Sequence, residues 1–300
     1  MKKPLLMLFI LGVVYAGITF LGRLAVPPHS MTEMGGEGAG RHPALVGGEL
    51  TRNFPQLPPG YEPFMMDISP DKRWLAFTGI YQPGTKDSEK VEAGLWLFDL
   101  QANQVRKLLS GTFTSPMAWA PDGRRLAFSL AQGYDLNSPL VLIDRETGKV
   151  TGLGVSGAGP AFSPDGGKLA YSGNFKAERG WFRGVPVSGS IFVLSLAEPS
   201  KPKEISPAGE GALMPCWSPD GTRIAYFVLL TAVSQEEPRA TVIVAKADGS
   251  GLKKVYTIER YLPLSLSWTP SGEAIRLVTP DGDLLVAADG SGTLPKAAAK

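Results

Sequence analysis

Apolar residues in this chain fall into short runs broken by Gly, Pro, Ser and Asp, and one run recurs at long intervals. It reads Leu75-Ala76-Phe77, Leu126-Ala127-Phe128, Leu169-Ala170-Tyr171, Ile224-Ala225-Tyr226 and Ile275-Arg276-Leu277. Each copy follows, at a fixed distance, a segment aligned on Pro70, Pro121, Pro164, Pro219 or Pro270. The consensus Ser-Pro-Asp-Gly is a turn tetrad, because Pro presets φ, Asp bonds back to the backbone and Gly takes conformations other residues avoid. The residue two before the proline is aromatic in four copies, and with the Leu-Ala-Phe run it marks the two strands that the turn joins. A third strand is predicted at 95–100, 140–144, 191–196, 241–245 and 284–287. A fourth follows a tight turn, clearest at Ala247-Asp248-Gly249 and again at Ala288-Asp289-Gly290, since Asp-Gly between apolar runs signals a hairpin. Thr279-Pro280-Asp281-Gly282 lies only ten residues past Pro270 and reads as a turn between the second and third strands of the last unit.

The motif prolines are 51, 43, 55 and 51 residues apart, which suits a four-stranded unit. Such units repeated in antiparallel order predict an all-β chain, a β-propeller. Five blades are recognisable. A sixth would have to come from about 41–64, which has no tetrad, or that segment supplies a strand closing the ring. Trp-Ser-Pro-Asp-Gly-Thr-Arg-Ile-Ala-Tyr over 217–226 and Trp-Ala-Pro-Asp-Gly-Arg-Arg-Leu-Ala-Phe over 119–128 closely resemble the repeat of the TolB-like propeller family. The resemblance spans about 66–295 and is confined to the propeller portion. It implies blade type more than function, because the same blade serves periplasmic binding proteins and dipeptidyl-peptidase-like enzymes.

The N-terminus follows a different pattern. Lys2 and Lys3 precede an uncharged stretch over 4–22, closed by Arg23. Nineteen residues are close to the ~20 that a helix needs to span a bilayer. Residues 1–25 therefore read as a signal anchor or a signal peptide, with the lysines cytoplasmic and the remainder exported. Residues 26–63 are rich in Pro and Gly and read as a tether, with a short hairpin expected about Gly47-Gly48. Residues 64–300 form the propeller. This predicts a single-pass membrane protein with the propeller outside the cytoplasm, or a secreted one if the N-terminal segment is cleaved.

Composition narrows the chemistry. The 36 glycines and 26 prolines suit a turn-dense fold, and 43% hydrophobic residues can fill its core. A net charge of +2 gives no electrostatic case for nucleic acid. Cys216 is the only cysteine, and both histidines, His29 and His42, precede the ring. An intrachain disulfide and a Ser-His-Asp triad within the ring are thereby excluded. No catalytic residue, metal ligand set or cofactor site is predicted.

In a propeller the tight turns gather on one face and the second-to-third strand loops on the other. The long insertions are 79–94, 130–138, 173–189 and 229–239. The third carries Phe175, Lys176, Arg179, Trp181, Phe182 and Arg183, aromatics interleaved with cations, which matches the Trp and Arg bias of binding hot spots. The alternative is that Trp181 or Phe182 plugs the rim and the charges are merely solvated. Asp67 is the one charge in the column three before each proline, so it is a candidate for the channel or for capping the first turn. Cys216 reads as a small core residue, and Glu236 and Glu237 as a solvated loop. The expected function is a non-enzymatic, monomeric binding scaffold for a cell-envelope protein or extracellular ligand, attached to the membrane through its N-terminal helix. The competing reading is a propeller hydrolase or lyase acting on a glycan or lactone at the channel mouth, which would need several converging carboxylates.

Overall fold

The computed structural model describes residues 45–46, 56–82, 91–111, 113, 116–130, 137–176, 181–182, 185–186, 188–230, 239–259, 263, 265–279 and 281–294. A two-residue strand, β1 (Leu45–Val46), precedes five four-stranded antiparallel blades. Blade 1 holds β2 (Tyr61–Ile68), β3 (Trp74–Tyr81), β4 (Glu92–Asp99) and β5 (Gln104–Ser110). Blade 2 holds β6 (Ala118–Trp119), β7 (Arg125–Ser129), β8 (Pro139–Asp144) and β9 (Val150–Ser156). Blade 3 starts with β10 (Ala158–Phe162) and β11 (Lys168–Gly173). A separate small hairpin, β12 (Trp181–Phe182) with β13 (Val185–Pro186), then interrupts it before β14 (Ser190–Ser195) and β15 (Glu198–Glu204). Blade 4 is β16 (Ala212–Trp217), β17 (Arg223–Leu230), β18 (Arg239–Lys246) and β19 (Lys253–Ile258). Blade 5 is β20 (Ser265–Trp268), β21 (Ala274–Thr279), β22 (Gly282–Ala287) and β23 (Thr293–Leu294). The chain is thus a five-bladed propeller, and the segment considered for a sixth blade supplies only β1 and the start of β2 among the described residues. β1 pairs in parallel with Met65 and Met66 of β2. The rest of the hairpin expected about Gly47-Gly48, and the apolar stretch at 4–22, lie outside the described residues.

The Leu-Ala-Phe run sets how blades pack. Side chains alternate across a strand, so Leu and Phe face one neighbour and the central Ala the other. Leu126 and Phe128 pack back onto Met65, Ala76 and Leu97 of blade 1, whereas Ala127 faces Leu169 and Tyr171 of blade 3. The same arrangement joins Ala170 to Ile224 and Tyr226, and Ala225 to Ile275 and Leu277. The small Ala lets the next blade approach closely. Blade 5 carries Arg276 at this position, and its guanidinium bonds Asp283 of β22 at 2.5 and 2.9 Å.

A second contact runs through the aromatic column. The indole N–H of Trp119 donates to the Asp67 carbonyl at 3.0 Å, that of Trp217 to Ala161 at 3.1 Å, and that of Trp268 to Cys216 at 3.1 Å. Each bond joins a blade to the one before it. Phe162 and Ile68 occupy the same position in blades 3 and 1 and have no side-chain N–H to give.

The tetrads form the predicted turns. The backbone N–H of Gly123, Gly166, Gly221 and Gly272 returns to the residue three before it at 2.8–2.9 Å, with φ between +63° and +70°. Lys72 fills this place in blade 1 with φ +60°. Ser163 and Ser218 donate their hydroxyls to Asp165 and Asp220 at 2.5 Å, and each aspartate accepts a further backbone N–H. Between the second and third strands of blade 5, Thr279 pairs with Gly282, as expected of the turn there.

Candidate binding site

The third insertion leaves blade 3 through Gly173 and Asn174, the latter in the left-handed region at φ +57°. The next residue, Phe175, is held through its backbone by a side chain from blade 2's own long-loop segment. Asn137 Nδ2 donates to the Phe175 carbonyl at 2.8 Å, and the Phe175 N–H donates to Asn137 Oδ1 at 3.1 Å. The amide thereby imitates a strand neighbour. One residue on, the Lys176 N–H donates to Ser188 Oγ at 2.8 Å, and that hydroxyl donates to the Lys176 carbonyl at 3.1 Å. Ser188 is fully buried, so both legs of the insertion are tied together at its base.

The Phe175 ring is 8% exposed and lies against Gly189, where any side chain would collide, since a Cβ there would stand 2.8 Å from the ring. Phe175 was expected on the contact surface, and instead it anchors the loop from beneath. The side chains of Trp181 and Phe182, for which a plug was the alternative, lie outside the described residues. Lys176 is exposed beside Phe175. Trp181 and Phe182 form the first strand of the small hairpin, in register with Pro186 and Val185. Arg179 and Arg183 lie outside the described residues, as do Glu236 and Glu237.

Asp67 is 9% exposed, and its carboxylate accepts the Trp119 N–H at 3.0 Å. With the indole bond to its carbonyl, it is a two-point link between blades 1 and 2. Cys216 packs at the edge of the blade 4–5 core, and burial pushes its thiol up, away from the reactive thiolate. The tetrad carboxylates move the other way. The Ser218 hydroxyl, followed by the Thr222 N–H, lowers Asp220 to about 2, and Ser163 and Ser69 lower Asp165 and Asp71 in the same manner. Among the described residues, no three His, Cys, Asp or Glu side chains come together in a way that could hold a metal ion.

Asn137 was not singled out from the sequence. Its partner is the backbone of a residue 38 positions away, which no local pattern reports. The indole clips were visible as a column of aromatics, but their acceptors were not.

By sequence, the chain matches no family model and no curated protein. By structure, it is similar to TolB from Acinetobacter baumannii, with a TM-score of 0.55 and 17% identity over 76% of this chain and 52% of that one. It is also similar to an oligogalacturonate lyase in complex with manganese, with a TM-score of 0.53 and 13% identity over 78% and 64% of the two chains. A puromycin-hydrolyzing peptidase of Mycobacterium tuberculosis gives 0.54 and 15% over 80% and 38%. The chain thus spans about half the length of the TolB structure and less than two thirds of the two enzymes. At these identities the likeness is one of fold: the chain shares the β-propeller arrangement of these structures.

Proposed function

We propose that this protein is an extracytoplasmic propeller, tethered to the membrane by residues 1–25, that binds a cell-envelope protein or extracellular ligand through its long-loop face. The observation that supports this reading is the clasp of Asn137 and Ser188 on the base of the third insertion. A solvated connection needs no such fixing, whereas a recognition loop gains affinity when its ordering cost is met in advance. The sequence of the insertion supplies the cations and aromatics that binding hot spots favour.

Replacing residues 177–187 with a short Gly-Ser turn tests the proposal. The variant is expected to keep its melting temperature and to lose capture of the envelope partner that the intact chain co-purifies. Unchanged capture would move the contact away from this loop.

A further inference from the structure

The junction of blades 3 and 4 contains buried hydroxyls with no protein partner. They are Ser172 Oγ, Tyr226 OH and Thr241 Oγ1, on residues 2%, 0% and 3% exposed. Register and packing place all three on the two faces that meet at this junction. Ser172 lies opposite Ile191 in blade 3, on the face turned to blade 4, and Ile191 shares a core cluster with Tyr226 and Val228. Thr241 lies opposite Val228, on the face of blade 4 turned back to blade 3. Among the described residues, the other unpaired hydroxyls are those of Thr78 in blade 1 and Ser265 in blade 5.

An unmet hydroxyl in a dry core is destabilising, so three at one junction call for an occupant. The junction is closed towards the long loops by the bond from the Ala212 N–H to the Gly189 carbonyl, directly beside buried Phe175. Two serines there are already used: Ser206 Oγ accepts the Ile191 N–H, and Ser190 Oγ accepts the Gly209 N–H. Burial, and then the charge of Glu210, raise the pKa of Tyr226, so its O–H remains a donor at neutral pH.

We propose that Ser172, Tyr226 and Thr241 form a binding site between blades 3 and 4 for an uncharged, hydroxyl-bearing ligand. Each wall group both donates and accepts, and none carries charge, so the complementary group is another O–H. Two sources supply it: bound water or a small polyol. The site sits beneath the third insertion but does not depend on a partner binding there.

The test is a crystal structure of the detergent-solubilised full chain, grown once without polyol and once with glycerol. An oxygen within hydrogen-bond distance of at least two of the three hydroxyls in both crystals identifies water. Glycerol density in the second crystal alone identifies a polyol. Empty space between the hydroxyls in both crystals overturns the proposal. Tyr226→Phe and Thr241→Val remove one bond each without altering shape much, and each is expected to lower Tm by about 2–4 °C. In the polyol case glycerol raises the wild-type Tm saturably, and the two variants lose that response. In the water case all three chains respond alike.

Discussion

The indole N–H of Trp217, in the first strand of blade 4, is hydrogen-bonded at 3.1 Å to the backbone carbonyl of Ala161 in blade 3. This bond couples a repeated aromatic to the ring rather than to its own blade. Trp217→Phe keeps most of the packing and removes the donor, so it should cost about 1 kcal/mol in denaturant unfolding. Phe162→Trp places the missing donor opposite Ala118 and should return up to about 1 kcal/mol. Equal stability for Trp217→Phe and the wild type would mean the bond adds nothing.

Blade 1 has Lys72 where the other tetrads have Gly, and it holds the same left-handed backbone at φ +60°. That conformation costs an L-residue roughly 1–2 kcal/mol, and part of this is recovered by glycine, net of its greater freedom when unfolded. Lys72→Gly should therefore raise stability by up to about 1 kcal/mol. Gly221→Ala should lower it, because φ is +69°, a backbone conformation that a side chain strains. Thermal melts of both variants decide the matter through the opposite signs of their shifts.

Asp220 titrates near 2 when folded, against about 3.9 when unfolded. A depressed carboxyl contributes stability that is complete above about pH 4 and disappears as the pH falls through about 2. The largest cause is the Ser218 hydroxyl. Ser218→Ala should raise the Asp220 pKa towards the ordinary value, read by a carboxyl NMR titration. A titration still centred near 2 in the variant would assign the shift to the Thr222 N–H instead.

Burial holds the Cys216 thiol protonated. A thiol reagent at about pH 8 should label the folded chain far more slowly than the denaturant-unfolded one, since the thiolate is the nucleophile. Comparable rates would show that the first strand of blade 4 opens readily.

The architecture was legible from spacing because each blade restates the same local chemistry. Pro and Gly in the tetrad force the turn, and Leu-Ala-Phe alternates across the strand beyond it. Third strands predicted at 140–144 and 284–287 appear as Pro139–Asp144 and Gly282–Ala287. The site was less legible. The third insertion stood out by composition, but the burial of Phe175 depends on Gly189 and on Asn137 of another blade. Asp67 was conspicuous as a charge among small residues, and its use by Trp119, 52 positions on, is a property of the ring. Pairings between blades leave no periodic trace in the chain.

Cross-linking from both faces of the propeller separates contact through the long loops from contact through the tight turns. A photoreactive residue would be placed in cells either at Lys176, exposed at the base of the third insertion, or at Asp248, exposed in a tight turn of blade 4. One specific cross-linked partner is expected from position 176, none from position 248, and loss of the first in the Asn137→Ala background. A specific partner trapped only from position 248 would contradict contact through the long loops.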